Sequence, residues 1–405
     1  MKASPMDNVP PRLLAESKPK SGSGRYLLAI LLNLFLGLFL ADAIVSLADD
    51  SLILLFNLHL FAGTRAMVCL FAMLMAIVVY GLMGLTPMIP KRWFLPLTLF
   101  YPASQLAFVP FMIYFLGRLQ QVSWGFSCAQ VLLGLGMLCW IQRGCKLNWP
   151  LLAWDQLATR RFSWWNLSGF VLVNVFVILP ATIIYLVLCT AVAVDHFSDG
   201  FMALRPGGVT VQVRKYVRHD GKTIQLFPMS HVADAGFYRK VSQTFPTNSI
   251  ILMEGVTDEK NLLTNGISYQ RMAKFLGLTE QKVTFGHGQG KMVRVDVDVD
   301  QFSTNTIDFL NLVMLVHAQG VNAGNMLMLM EYPMPPHFEE QLYDDLLRKR
   351  NQHLVEGIQS HLSQTDNIMV PWGVAHMPGI AKEIQKSGFR LDETQEYMVI
   401  RFRGF

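Results

Sequence analysis

The chain has 405 residues, 52% of them hydrophobic and only 16% charged, with a net charge of +5. That composition excludes a disordered chain and a disulfide-dense secreted scaffold, and the charged fraction lies well below the quarter usual for soluble domains. Residues 1–199 carry 13 Lys and Arg against 8 Asp and Glu, whereas 200–405 carry 21 of each. All five cysteines (Cys69, Cys128, Cys139, Cys145, Cys189) fall in the first half, so the second can form neither a disulfide nor a thiolate metal site.

Residues 1–25 read as a basic, disordered cytoplasmic leader. Apolar stretches at about 26–47, 66–86, 93–117, 122–141 and 167–194 each approach the roughly 20 residues that cross a bilayer core, and predict five transmembrane helices within 26–199. The stretch 51–63 is ambiguous, too short to span but long enough to lie at the interface or re-enter. With five spans and an inner N-terminus, Lys91, Arg92 and the basic residues of 143–161 stay cytoplasmic, and a sixth span would export them. The reading is therefore a multi-pass inner-membrane protein with 200–405 on the periplasmic side. Asp42 is the one charge placed inside a span, which argues against an ion path. Pro96, Pro102, Pro110 and Pro180 are expected to kink helices rather than break them around a cavity. The basic segments match topology and anionic lipid, not nucleic acid.

From Met202 onward, short β-rich runs alternate with polar helical stretches. Strands are predicted at 209–217, 223–228, 249–254, 292–299, 367–372 and 397–402, and helices at 234–245, 268–277, 303–319, 337–363 and 378–387. The fold class expected is thus a membrane all-α half followed by an α/β or α+β domain with a central mixed sheet over 200–405. Three apolar runs end alike: TIQLFPMSH delivers His231, SIILMEG delivers Glu254 and NIMVPWGVAHMPG delivers His376. Carboxyl ends of strands are where open α/β sheets place ligands. Two imidazoles and a carboxylate converging there suit a divalent metal (manganese, cobalt or zinc) with open positions for water and substrate. The plainer alternative for each histidine is a hydrogen-bonded loop residue.

Gly373-Val-Ala-His376-Met-Pro-Gly379 is a GxxH segment followed by a Pro that can open a helix, with Gly373 permitting a sharp turn and Gly379 close packing. Upstream stand LLRKRNQHLVEGIQSHL with Arg350 and Asn351, ISYQRMAKFLGLTEQ with Tyr269, VDVDVDQF, and IILMEG. In these residues the chain resembles the TraB/Tiki superfamily, over roughly 223–400 and nowhere in the membrane half. The resemblance implies a metal-dependent hydrolase, Tiki proteins being metalloproteases with two GxxH motifs and a glutamate. Carried over, His231, Glu254 and His376 would be the metal residues, Arg350 and Asn351 would support the site or bind substrate, and Asp298 and Asp300 would be secondary, as would Ser230, Tyr269 and Gly373. One departure is plain: Pro228-Met-Ser-His231 has Pro where the family has Gly, which fixes φ and removes a donor, so fold is better supported than activity.

Asp296, Asp298 and Asp300 alternate with valine and on a strand would share one solvated face; Gln301 and Ile307 do not suit a calcium loop. GHGQGK at 286–291 lacks the first Gly of a P-loop and reads as a hairpin loop. Met326, Met328, Met330 and Met334, with His337 nearby, read as core or interface packing ahead of a soft copper site. Neither H-E-x-x-H nor G-x-S-x-G occurs. Ser230 adjoins His231 in sequence, which directs their side chains apart.

The function expected is a membrane-anchored, metal-dependent hydrolase, foremost a peptidase, acting on a peptide or small-molecule substrate outside the cytoplasm. Glu254 would ligate or act as base, and Arg350 would face the oxyanion or a substrate carboxylate. The alternative is a non-catalytic peptide-, haem- or metal-binding module of the same fold, and a weaker third reading is a transporter with a regulatory outer domain. The lipid bilayer is the expected partner, and a homo-oligomer stays open.

Overall fold

A computed structural model describes residues 23–144, 148–264, 269–281, 290–320, 322–330, 332–333 and 335–402. Most of the leader, Cys145, Met334 and most of GHGQGK lie outside the described residues. The chain divides into two compact units that meet at Tyr185 and Leu186.

The first unit is built from helices α1 (Ser23–Phe56), α2 (Ala62–Leu85), α3 (Lys91–Tyr114) and α4 (Leu119–Ile141), and it includes the first part of α5 (Trp164–Phe197). All five are long and apolar enough to cross a membrane. The ambiguous stretch 51–63 divides between two of them: α1 runs on to Phe56, Asn57 turns the chain in the left-handed region (φ 54), and α2 starts at Ala62. The helix that holds Asp42 therefore also holds Asp49 and Asp50, and all three are buried.

A buried carboxylate needs donors, and the neighbouring helices supply them. Asp50 accepts from Arg65 (2.6 Å), Gln120 (3.1 Å), Ser123 (3.0 Å) and Ser127 (2.5 Å), while Asp49 accepts from Arg65 and the Phe61 backbone N–H. Buried Asn33 of α1 clamps the 148–157 segment by exchanging hydrogen bonds with the backbone of Leu152. Around these polar points packs an apolar core that includes Phe35, Phe39, Val79, Met83, Phe94 and Leu97.

Helix α3 stays continuous through Pro96, Pro102 and Pro110. Pro110 has no N–H for the carbonyl of Leu106, and the Tyr185 hydroxyl of α5 donates to that carbonyl instead at 2.8 Å. In α5 the turn Asn174–Ile178 widens to π geometry just before Pro180, a common way for a helix to absorb a lost hydrogen bond. Helices α1 and α4 approach closely at Gly134, where an added Cβ would lie 2.8 Å from Leu40 Cδ2.

The second unit centres on a seven-stranded mixed sheet. Its strands are β1 (Met202–Arg205), β2 (Gly208–Val217), β3 (Thr223–Met229), β5 (Ile250–Met253), β7 (Lys291–Arg294), β8 (Asn367–Gly373) and β9 (Arg390–Arg401), in the order β1-β2-β3-β8-β5-β7 with β9 along β2. Strands β3, β8, β5 and β7 are mutually parallel, and β1, β3 and β9 pair β2 antiparallel. A separate pair, β4 (Val232–Ala233) and β6 (Thr279–Glu280), sits beside it.

Period-two alternation sorts the strand residues between two cores. Ile224, Leu226, Ile250, Leu252, Ile368, Val370 and Trp372 face one, and Phe227, Met229, Ile251 and Met369 face the other. The first core is covered by α10, formed by Phe338–Tyr343, a π turn Asp344–Arg348 and Lys349–His361, and by α11 (Met377–Lys386). Helix α11 contributes Met377, Ile380, Ala381 and Ile384, the i, i+3, i+4, i+7 stripe of an amphipathic helix. The second core is covered by α6 (Ala235–Gln243) through Phe237, Tyr238 and Val241. Three further helices, α7 (Gln270–Leu276), α8 (Thr304–Gln319) and α9 (Ala323–Met330), complete the unit.

Strands β1, β4 and β6 and helix α9 form where no element is expected, and two expected strands have different bounds. The strand expected over 292–299 ends at Arg294, because the Asp296 and Asp298 side chains accept from backbone N–H groups at Gly255, Val297, Glu259 and Asp300 and bend the chain into a 3-10 turn at Val299–Gln301. Strand β9 begins at Arg390 rather than near 397, since β2 offers ten residues of unpaired edge along which its exposed, polar first half can ladder. The Met-rich stretch forms α9, with Met326 and Met328 exposed.

Gly134→Val tests the α1/α4 approach. The added branches would press on Leu40 and Phe39, and overpacking of this kind costs about 1–3 kcal/mol. The thermal midpoint of the detergent-solubilised protein should fall by several degrees, whereas Val at Gly136, which has open space around it, should leave the midpoint nearly unchanged.

Candidate functional site

Because β3, β8, β5 and β7 run parallel, their carboxyl ends share one edge of the sheet, and each is followed within three residues by a polar side chain. His231 follows β3, His376 follows β8, Glu254 follows β5 and Asp296 follows β7. Helix α10 lays Arg350 and Asn351 against the last three.

Arg350 is the hub. Its Nε and Nη2 donate to the two oxygens of Asp296 at 3.0 and 2.7 Å, Nη2 also donates to Glu254 Oε1 at 2.9 Å, and Nη1 lies 3.2 Å from His376 Nε2. Glu254 spends its other oxygen on the Gly373 backbone N–H at 2.6 Å. His376 Nδ1 is 2.7 Å from Asn351 Oδ1, so Nδ1 carries the proton and Nε2 accepts from Arg350. Trp372 lies under the cluster, its indole N–H donating to Leu252 O, its ring edge-on to His376 and 5.4 Å from the Arg350 guanidinium carbon. The side chains of Asp296, His376, Arg350 and Glu254 are 0, 5, 12 and 16% exposed, so the network is nearly dry.

The electrostatics follow from that geometry. Burial, with the Arg350 cation beside it, holds the His376 imidazole down to about 4, so it is neutral at ordinary pH. Burial alone would lower Arg350, but Asp296 and Glu254 more than reverse this and raise it.

The glycines of the GxxH-MPG segment have specific duties. A Cβ at Gly373 would stand 3.3 Å from Glu254 Oε2, and one at Gly379 would stand 2.5 Å from Asn351 Nδ2. Gly379 thus lets Asn351 reach His376.

His231 stands apart from the hub. It is exposed, its backbone carbonyl accepts from Gln281, and its ring stacks flat on Tyr269 with centroids 4.9 Å apart. Tyr269 in turn meets His317 at 5.7 Å. Burial and the nearby Glu280 and Glu254 carboxylates raise the Tyr269 phenol, which places this aromatic row within electrostatic reach of Glu254. Ser230 donates to Val232 O, and its own carbonyl accepts from Tyr238, so it serves the loop. Asp298 accepts from Thr257, Glu259 and Asp300, and Asp300 pairs with Lys260, so both hold the 257–260 segment in place.

The sequence reading missed Asp296, which it left on a solvated strand face, along with Trp372 and His317. The sequence signal for Asp296 is weak, because the run before it, Lys291-Met-Val-Arg294-Val, carries two charges where the run before Glu254 carries none. Among the described residues, no three His, Cys, Asp or Glu side chains are grouped to hold a metal ion. The donors between His376 and Glu254 do not fit a divalent cation as placed, because the Arg350 guanidinium lies against both. The chain gives no significant match to family models, curated proteins or solved structures.

Two measurements probe the hub. Arg350→Leu leaves two buried carboxylates without their cation and should cost about 3–5 kcal/mol, read as a lowered thermal midpoint; Arg350→Lys, which lacks the planar fork, should recover only part of it. His376 takes up a proton near 6.5 when unfolded but only near 4 when folded, so its contribution to stability is full above about 6.5 and is lost as pH falls toward 4. His376→Asn should flatten the fall in midpoint over that window relative to wild type, and parallel curves would refute the assignment.

Proposed function

We propose that the chain is a membrane-anchored hydrolase whose C-terminal unit acts on an extracytoplasmic peptide or small amide, with Arg350 as the electrophilic contact and His231 as the general base. The observation that carries this reading is the fixing of Arg350 by Glu254, Asp296 and His376 at the carboxyl ends of four parallel strands. A guanidinium held in place before substrate arrives needs no reorganisation when negative charge develops on a carbonyl oxygen, and a low-dielectric setting strengthens that interaction.

Arg350 has its five N–H groups engaged by Asp296, Glu254, His376 and the Leu346 carbonyl, so a substrate oxygen would take over the longest of these bonds, the 3.5 Å one to Leu346 O. Glu254 has both oxygens engaged, and His376 Nε2 already accepts from Arg350, so these two, with Asp296 and Asn351, position the arginine. His231 is exposed to solvent and its ring is held flat against Tyr269, which leaves it open to the water from which it would take a proton. A divalent manganese, cobalt or zinc ion at His231, Glu254 and His376 would require Arg350 to swing away, and no step is assigned to it.

Membrane anchoring is supported by the five long apolar helices and by α5, none of whose most apolar window is buried within the chain. The basic residues of 91–92 and 143–161 support a cytoplasmic side for those loops and a periplasmic side for the C-terminal unit.

A second reading, a non-catalytic module that captures a peptide, haem or metal in the same crevice, is favoured by the complete pairing of Glu254 and His376 and by Pro228 standing within β3.

The test uses full-length protein in detergent with peptide, amide and ester substrates, each with chelator and with added manganese, cobalt or zinc. Turnover that survives chelation and drops at least about 100-fold in His231→Ala supports the proposal. Turnover that appears only with added metal would replace it by the metal-dependent route. Peptide retention without turnover, lost in Arg350→Leu, would replace it by the binding module. For sidedness, a cysteine at position 220 should be labelled by an impermeant thiol reagent in cells with a permeabilised outer envelope.

A further inference from the structure

We propose that the first unit holds a second site, independent of the crevice above: a cavity among α1–α4 that takes a small organic ammonium group, with Asp42 as its counter-ion. The cavity measures about 200 Å³, and Asp42, Arg65, Cys69, Phe100, Phe108 and Phe126 are among the residues that line it. Asp42 is only 2% exposed, and its Oδ2 accepts from Tyr101 at 3.0 Å and from Gln130 at 2.7 Å. Both partners are neutral. Its Oδ1 is buried and has no hydrogen-bond partner among the described residues.

A buried carboxylate with one oxygen unserved is costly, and a cation that meets it recovers that cost. Arg65 lines the same cavity but is committed to Asp49 and Asp50, so it does not neutralise Asp42. Asp42, Asp49 and Asp50 set against Arg65 leave two negative charges over, one of them on Asp42, which draws cations to the cavity.

Size and walls select its kind. A bare metal ion wants about six or more oxygens closed around it at roughly 2.0–2.6 Å, and although Ser46, Tyr101, Ser104, Gln105 and Gln130 also line this space, Phe100, Phe108 and Phe126 interrupt such a shell. A primary ammonium on a small apolar body fits better. Its N–H groups can reach the hydroxyls of Ser46 and Ser104 with the charge beside the Asp42 carboxylate, and the aromatic faces favour both the cation and the apolar remainder.

Cys69 gives the cavity its own reporter. Its thiolate attacks the sulfenyl sulfur of a methanethiosulfonate, a mixed disulfide forms and the sulfinate leaves. Full-length protein in detergent is treated with aminoethyl (cationic), methyl (neutral) and sulfonatoethyl (anionic) reagents. Modification of Cys69 is followed by peptide mass, and rates are normalised to a free thiol.

The cationic reagent should modify Cys69 about tenfold faster than the neutral one, and the anionic reagent should be slowest. Benzylammonium chloride should protect Cys69, while benzyl alcohol should not. Asp42→Asn should abolish both the preference and the protection. Should that variant fold poorly, Ser104→Leu, which narrows the cavity and leaves Asp42 in place, should remove protection by benzylammonium.

Equal normalised rates would mean a cavity for water only and would overturn the proposal. So would failure of every reagent to reach Cys69, protection by sodium chloride equal to that by benzylammonium, or a preference that survives in Asp42→Asn.

Discussion

The Arg350 guanidinium makes hydrogen bonds to three segments that are remote in sequence, the ends of β5, β7 and β8, from a helix that follows none of them directly. Taking these charges out of water is favourable only if each finds its partner, so the position of α10 on the sheet and the register of three strand ends are mutually fixed. Asn351, one residue on, sets the histidine tautomer, and Gly379 supplies the clearance for it. Gly357 of the same helix packs against Val295, where a Cβ would lie 3.1 Å from Val295 Cγ1, so α10 is also tightly seated beside Asp296. Arginine chemistry and helix packing thus act on the same few ångströms of chain.

That arrangement explains what was legible in the sequence. His231, Glu254 and His376 each end an apolar run abruptly, and a strand that stops at a polar residue shows in one dimension. Their parallel alignment also follows from strand and helix alternation. Asp296 follows a run broken by Lys291 and Arg294, and Asp298 and Asp300 beyond it imitate a longer strand, so it did not stand out. The three aspartates separate only when local side-chain-to-backbone hydrogen bonds bend the chain, and the contest between a ladder and such bonds is decided by tertiary neighbours. Arg350 and Asn351 were visible as residues, but their place between Glu254 and His376 was not, since sequence spacing carries no information about which cation fills a gap.

In the helical unit the five long helices were legible because hydropathy accumulates over many residues. The extent of α1 was less so: Asp49 and Asp50 resemble the end of a span, and only the donors from α2 and α4 allow the helix to carry them inward. Both units therefore bury acidic groups, with different outcomes. The Arg350 hub satisfies Asp296 and Glu254 completely, as Arg65 and its neighbours satisfy Asp50, whereas Asp42 keeps one oxygen unserved.

The location of those donors bears on how the protein is made. In the bilayer reading, α1 leaves the ribosome first with three carboxylates, and each ionised aspartate near the centre of a lone inserted helix is unfavourable by about 3 kcal/mol. Arg65 comes with α2, Tyr101 with α3, and Gln120, Ser123, Ser127 and Gln130 only with α4. The first helix therefore becomes comfortable in lipid only after the fourth has been synthesised. Biogenesis of this unit then has the character of delayed joint insertion, in which early helices wait beside the insertion machinery for later ones, rather than of helices released one at a time.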